Sequence, residues 1–363
     1  MVPQQQQRSR YWDITITVDK EAGSARAASS NALTPSRAKA FEDEVQRHLK
    51  WRTAIIKEGR QDVLAALQGA LAEIDRRLAQ QPADWQLWHL GRLRSQVAAA
   101  LGHGAEAASN AVKKALARAE QLGESFVPDA LGAAGVQVPR MAPGLSADVV
   151  ENIASFCTSR MQDVTHEAQQ AINHQLSLTV LGVQTPFEAT RAIHKILGAD
   201  GAAMARSERI VRTEVARVYA LAQQSAMERA AQVVPGLHKQ WRRSGKMHSR
   251  KSHDRMDGVH IAVLRHFKVS RESGGGTDKM LHPLDPGAPV SQTVNCGCTC
   301  IPWMPGWQVK YPDYKPFSVK EIRVRPERSR RAEKKEMKMS HCPAWRKLSC
   351  LIKNYTICLA SMK

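Results

Sequence analysis

The sequence predicts an α+β protein, predominantly helical in its N-terminal region, followed by a small α+β module and a basic tail. Three observations carry this. Apolar residues recur at helical spacing over long stretches before Gly236. Short β-like pieces broken by glycine and proline follow it. Only 5% of the residues are aromatic while alanine is abundant, a composition that favours helices over sheets. With 363 residues the chain is long enough for two or three cores, at roughly 100 to 200 residues per domain.

Residues 1–33 are polar and rich in Gln, Ala and Ser, and read as a flexible arm. Residues 34–122 read as helical: Thr34 caps, Pro35 opens the first turn, and Leu64, Leu67, Leu71 and Ile74 continue an apolar face. "QQPADWQLW" interrupts this region, and a second helical block runs from Trp85 to Leu122. Residues 123–145, containing "GESFVPDALGAAGVQVPRMAPG", read as a linker because glycine and proline break helices.

Residues 146–235 read as helical again. Ser146 caps, with Asp148 and Glu151 where the helix dipole favours acids, and Cys157 falls inside as a buried structural thiol. "TPFEATRAIHKILG" carries the sharpest local signal: Thr185 caps, Pro186 opens, Glu188 reaches back, and Gly198 stops the helix. A longer amphipathic helix, with Val211, Val215 and Val218 on one face, ends at Pro235-Gly236. Residues 236–307 form the module, with Gly274 to Gly276 as a hairpin tip or loop, then a proline loop and three cysteines at alternate positions. Residues 308–363 are the basic tail, read as disordered or as a nucleic-acid-contacting arm.

Lys and Arg total 53 against 34 Asp and Glu, and a net charge of +19 implies a polyanionic partner. The candidate phosphate contacts are Arg242, Arg243, Lys246, Arg250 and Lys251 in "WRRSGKMHSRKSHDR", and Arg323, Arg325, Arg328, Arg330 and Arg331 in the tail. Such contacts neutralise phosphate without reading bases, so binding to double-stranded DNA is expected to be non-specific and salt-dependent. No run approaches the roughly 18 apolar residues of a membrane span. No membrane partner is expected, and the chain reads as cytosolic when made.

Seven scattered cysteines do not describe a disulfide framework. Alternate residues of a strand share a face at about 6.6 Å of rise, whereas structural zinc sites prefer two to four residues between ligands. Packing of Cys296, Cys298 and Cys300 in a closing strand is therefore the main expectation, and no cofactor is expected. A zinc site of His253, Cys296 and Cys298, with His248 or His260 as a fourth ligand, stays chemically open. His253 with Arg250 and Asp257 has the residue types of a base, a cation and an orienting carboxylate. The competing reading is an Asp-Gly turn whose neighbours bond the backbone of the proline loop, and no catalytic residue is assigned. Arg212, Glu214 and Arg217 sit at helical spacing that favours ion pairs, or a contact to a ring-shaped partner.

Three segments in order resemble the phage Mu protein F-like family of minor head and head morphogenesis proteins. They are Arg212-Thr213-Glu214 on a helix; the run of Trp241, Arg250, His253, Asp257 and Gly258; and Asn295, Cys296 and Cys298 after a Pro/Gly loop. Gly297 stands where the family usually has Arg, and the basic stretch Lys246 to Arg250 replaces its usual acidic residue. The resemblance spans Arg206 to Pro302, and residues 340–363 resemble nothing in the family. It implies head assembly, association with the portal protein and other head or scaffold proteins, and a place inside the virion head after assembly in the host cytoplasm. A metal-dependent nuclease, or a toxin-like effector carrying such a module for delivery, is the alternative.

Overall fold

Helix α1 (Pro35–Ala79) begins where Thr34 and Pro35 predict, with the Thr34 hydroxyl accepting from the Arg37 amide at 3.4 Å. The computed structural model describes residues 32–81, 87–139, 144–247 and 249–324. Four more helices follow: α2 (Leu87–Ala133), α3 (Ala147–Val180), α4 (Pro186–Leu197) and α5 (Ala202–Val233). Helix α2 packs against α1, α3 and α5. Among the described residues no helix is long and apolar enough to cross a membrane. The α4 capping box forms as expected, the Glu188 amide donating to Thr185 Oγ1 at 3.2 Å and the Thr185 amide to Glu188 Oε2 at 2.8 Å. Cys157 is buried in α3, and burial pushes its thiol up to about 12.

The linker expected over 123–145 is corrected by α2, which continues through Ala133. Its Phe126, Val127, Ala130 and Leu131 are fully buried in one core with Phe41 of α1 and Met227 of α5. Burying such side chains stabilises by about 1.5–3 kcal/mol each for the larger ones, which outweighs the helix penalties of Gly123 and Pro128. Gly123 has a packing role as well. A Cβ there would lie 2.5 Å from the Tyr219 carbonyl oxygen, so the missing side chain lets α2 close on α5.

The module consists of β1 (His238–Arg242), one-turn α6 (Lys251–Asp254), β2 (His260–Ala262), β3 (Phe267–Ser270), β4 (Thr277–Met280), one-turn α7 (Val290–Thr293) and β5 (Thr299–Trp303). An antiparallel sheet of order β2-β1-β5 packs beside the β3-β4 hairpin, whose tip holds Gly274 to Gly276. The module shares a core with the helices: Trp241, Phe267, Cys296, Cys298, Trp303 and Trp307 join Phe41, Phe126 and Met227.

The basic tail expected from residue 308 is corrected in its first part, because residues 308–324 lie along the module. Arg243 donates to the Lys315 and Pro316 carbonyls at 3.1 and 2.9 Å, pairs with Glu321, and lies 4.2 Å from the Phe317 ring centre. Charge alone suggested a free arm. Backbone carbonyls and aromatic faces that capture arginine give this segment a docking site.

Candidate functional site

Asn295, Cys296 and Cys298 do not lie in a strand. β5 starts at Thr299, and the chain turns before it, with Asn295 in the left-handed region at φ 57°. The expected thiol-lined closing strand is corrected accordingly: only Cys300 is in β5, opposite Trp241 of β1. The turn is fixed from several sides. Thr213 Oγ1 accepts from the Asn295 amide at 3.2 Å, Lys246 Nζ donates to the Asn295 carbonyl at 2.9 Å, and Arg250 donates to the Val294 carbonyl at 2.7 Å.

Helix α6 brings His253 to this turn. Cys296 Sγ lies 3.4 Å and Cys298 Sγ 3.8 Å from His253 Nδ1, and the three ligand atoms lie within 4.8 Å of one another. On the other side of the ring, Nε2 meets Gln292 Oε1 at 2.9 Å. The Trp241 indole stands edge-on to the imidazole, with centroids 5.3 Å apart. His253, Cys296 and Cys298 are all buried.

Charge around the cluster is positive. Arg52 of α1, also buried, donates to the Gly297 carbonyl at 3.1 Å and the Cys298 carbonyl at 3.4 Å, and lies 5.2 Å from the Tyr219 ring centre. A bond from the Cys298 thiol holds the Cys296 sulfur well below the usual thiol range. The same bond, with burial, holds Cys298 well above it. Burial lowers Lys246 and Arg52, and the two sulfurs oppose that effect in both.

Other predicted residues take different places. Asp257 accepts from the Arg243 amide at 2.9 Å and the Lys315 amide at 2.8 Å, and Gly258 backs onto Asp313, where a Cβ would lie 2.0 Å from the carbonyl oxygen. Asp257 and Gly258 therefore hold the 308–324 segment. Arg250 bonds Val294, Asp257 bonds this segment, and His253 faces the thiols, so no base-cation-carboxylate triad assembles. Arg212 pairs with Glu208, while Arg217 pairs with Glu214 and donates to the Leu284 carbonyl at 3.3 Å. Burial raises the Glu214 carboxyl, opposed by Arg217.

The phosphate-contact expectation is corrected for Arg242 and Arg243. Arg242 bonds the Asp313 and Tyr311 carbonyls, and the Arg243 side chain is 2% exposed, so their donors are engaged by the chain itself. Lys246 and Arg250 donate to the turn, whereas Lys251 and Arg323 are exposed. Arg325, Arg328, Arg330, Arg331 and His248 lie outside the described residues. His260 stacks on His238, with ring centroids 5.2 Å apart, and does not enter the thiol cluster.

Sequence reasoning missed Arg52 and Gln292. Arg52 had a readable signal, since it interrupts the buried stripe Phe41, Val45, His48, Ile55, Gly59 and Val63 at helical spacing. Gln292 had none beyond its proximity to the cysteines. No protein-family model, curated protein or solved structure matches this chain.

Proposed function

We propose that this chain is a minor head protein of a tailed phage, acting in head assembly at the portal vertex and in contact with packaged duplex DNA. Convergence is the observation that supports this reading. Thr213, Arg250, His253, Asn295, Cys296 and Cys298 belong to three motifs far apart in sequence, yet they meet around one turn. Motif members that meet in space are a firmer basis for the resemblance than the same letters along a line. The net charge of +19 suits a protein beside packaged DNA, with Lys251, Arg323 and the arginines beyond it as the phosphate contacts. The nuclease alternative is the weaker reading, because His253 and both thiols are buried away from any scissile phosphate.

Sedimentation of head precursors, from cells expressing the chain with portal and capsid proteins, tests the reading. The chain is expected in the portal-containing fraction. Its absence there, with assembly unchanged when it is omitted, would sink the proposal. Duplex binding is expected to weaken by orders of magnitude from about 50 to about 200 mM salt. Deleting residues 323–338 should lower that salt dependence.

A further inference from the structure

We propose that His253, Cys296 and Cys298 form a zinc(II) site that fastens the turn before β5 to helix α6. This inference rests on the cluster's geometry alone and stands or falls separately from the head-assembly reading.

The distances fit such an ion. With Zn–S near 2.3 Å and Zn–N near 2.05 Å, a tetrahedral zinc holds a sulfur and a nitrogen donor about 3.6 Å apart. The two S···Nδ1 separations, 3.4 and 3.8 Å, fall on either side of that value. The one-residue gap between the cysteines, poor for a site built on a strand, is accommodated because Asn295 turns the chain and Gly297 lies between the ligands. A Cβ at Gly297 would sit 2.8 Å from both Lys246 Cε and Ser244 Cβ, so a side chain there would push the turn outward.

The histidine is oriented for ligation. Gln292 Nε2 donates to the Ser270 carbonyl at 3.2 Å and to Asp278 Oδ2 at 3.0 Å, which points its oxygen at His253 Nε2. Nε2 therefore carries the proton and Nδ1 directs its lone pair at the sulfurs. A metal-ligating histidine ordinarily has such a partner on its far nitrogen. Two thiolates and one zinc ion carry no net charge, so the bound site adds no repulsion to Arg52 or Lys246. The described residues supply three donors, and we assign the fourth position to water.

The test is elemental analysis of the full chain, purified without added metal or chelator. Stoichiometric zinc is expected. Cys296→Ser and Cys298→Ser should each lose it while far-ultraviolet circular dichroism shows the helices intact, and His253→Cys should keep it where His253→Ala does not. Should the serine variants fail to fold, cobalt(II) substitution of the wild-type chain gives an independent reading. The thiolate-to-cobalt charge-transfer band is expected at the intensity of two thiolates. A folded wild-type chain with less than about a tenth of an equivalent of zinc and no cobalt band overturns the site, as does full zinc retention in a folded double serine variant.

Discussion

His48 and His253 are both buried, and each centres a cluster of three groups of metal-ligating type, yet the two clusters are built differently. His48 stands between carboxylates, its Nε2 being 3.0 Å from Glu44 Oε1 and 3.2 Å from Asp129 Oδ2. Glu44 also pairs with Arg47, and the Asp129 side chain is 39% exposed. Two carboxylates share the Nε2 side of the ring, and one of them also pairs with Arg47, so the carboxylates have partners without an ion, although His48 Nδ1 has no hydrogen-bond partner. His253 instead turns its lone pair toward two sulfurs, which are weak hydrogen-bond partners, and all three side chains are buried. The difference teaches that the number of ligand-type side chains in a cluster says less than whether they already satisfy one another.

The largest expected effect breaks this comparison directly. A zinc chelator should destabilise the wild-type chain by about 4 kcal/mol if free zinc had stood near a thousandfold above its Kd. His48→Ala should show the same chelator-induced drop from its own starting point, and His253→Ala none. Chemical denaturation with and without chelator measures it. Equal chelator effects in the two variants would erase the distinction between the clusters.

A somewhat smaller effect tests the link between them, Arg52, one turn beyond His48 on α1. Its guanidinium bonds the carbonyls of Gly297 and Cys298 and lies against Tyr219. Arg52→Met keeps most of the volume but leaves two buried carbonyls without their charged donor, an expected loss of about 3 kcal/mol by urea denaturation. Zinc content should be unchanged, because Arg52 touches the backbone and not the ligand atoms. A loss below about 1 kcal/mol, or zinc lost in the folded variant, would refute this role.

How much of this was legible in sequence depends on the range of the interaction. The α4 capping box is a contact between residues three apart, and Thr185, Pro186 and Glu188 state it completely. The α+β class was legible for a similar reason, since helical periodicity and a Gly-rich hairpin tip are local patterns. The extension of α2 to Ala133 was not, because only burial against Phe41 and Met227 overrides Gly123 and Pro128. Residues 308–324 were misread because composition reports charge and not the arginine contacts that hold the segment. For the thiol cluster the residue types were legible and the geometry was not. The turn at Asn295 depends on Thr213, Lys246 and Arg250, from two distant segments of the chain.

The smallest effect sharpens the carboxylate side of the comparison. Burial lowers the pKa of His48 from its ordinary 6.5, and Asp129 opposes that shift by charge and hydrogen bond. On Arg47 the charge acts with burial, while Glu44 faces the same nitrogen and the Phe126 and Trp51 rings flank the imidazole. A lowered folded pKa means that the unfolded chain binds the proton first. Stability is therefore fully present above pH 6.5 and is lost as the pH falls toward the folded value. His48→Gln should flatten this acid limb, a change on the order of 1 kcal/mol. Asp129→Asn should steepen it, because removing the carboxylate that favours the imidazolium lowers the folded pKa further. Thermal unfolding between pH 7 and 5 reads both, and an unchanged acid limb in His48→Gln would remove His48 from the account.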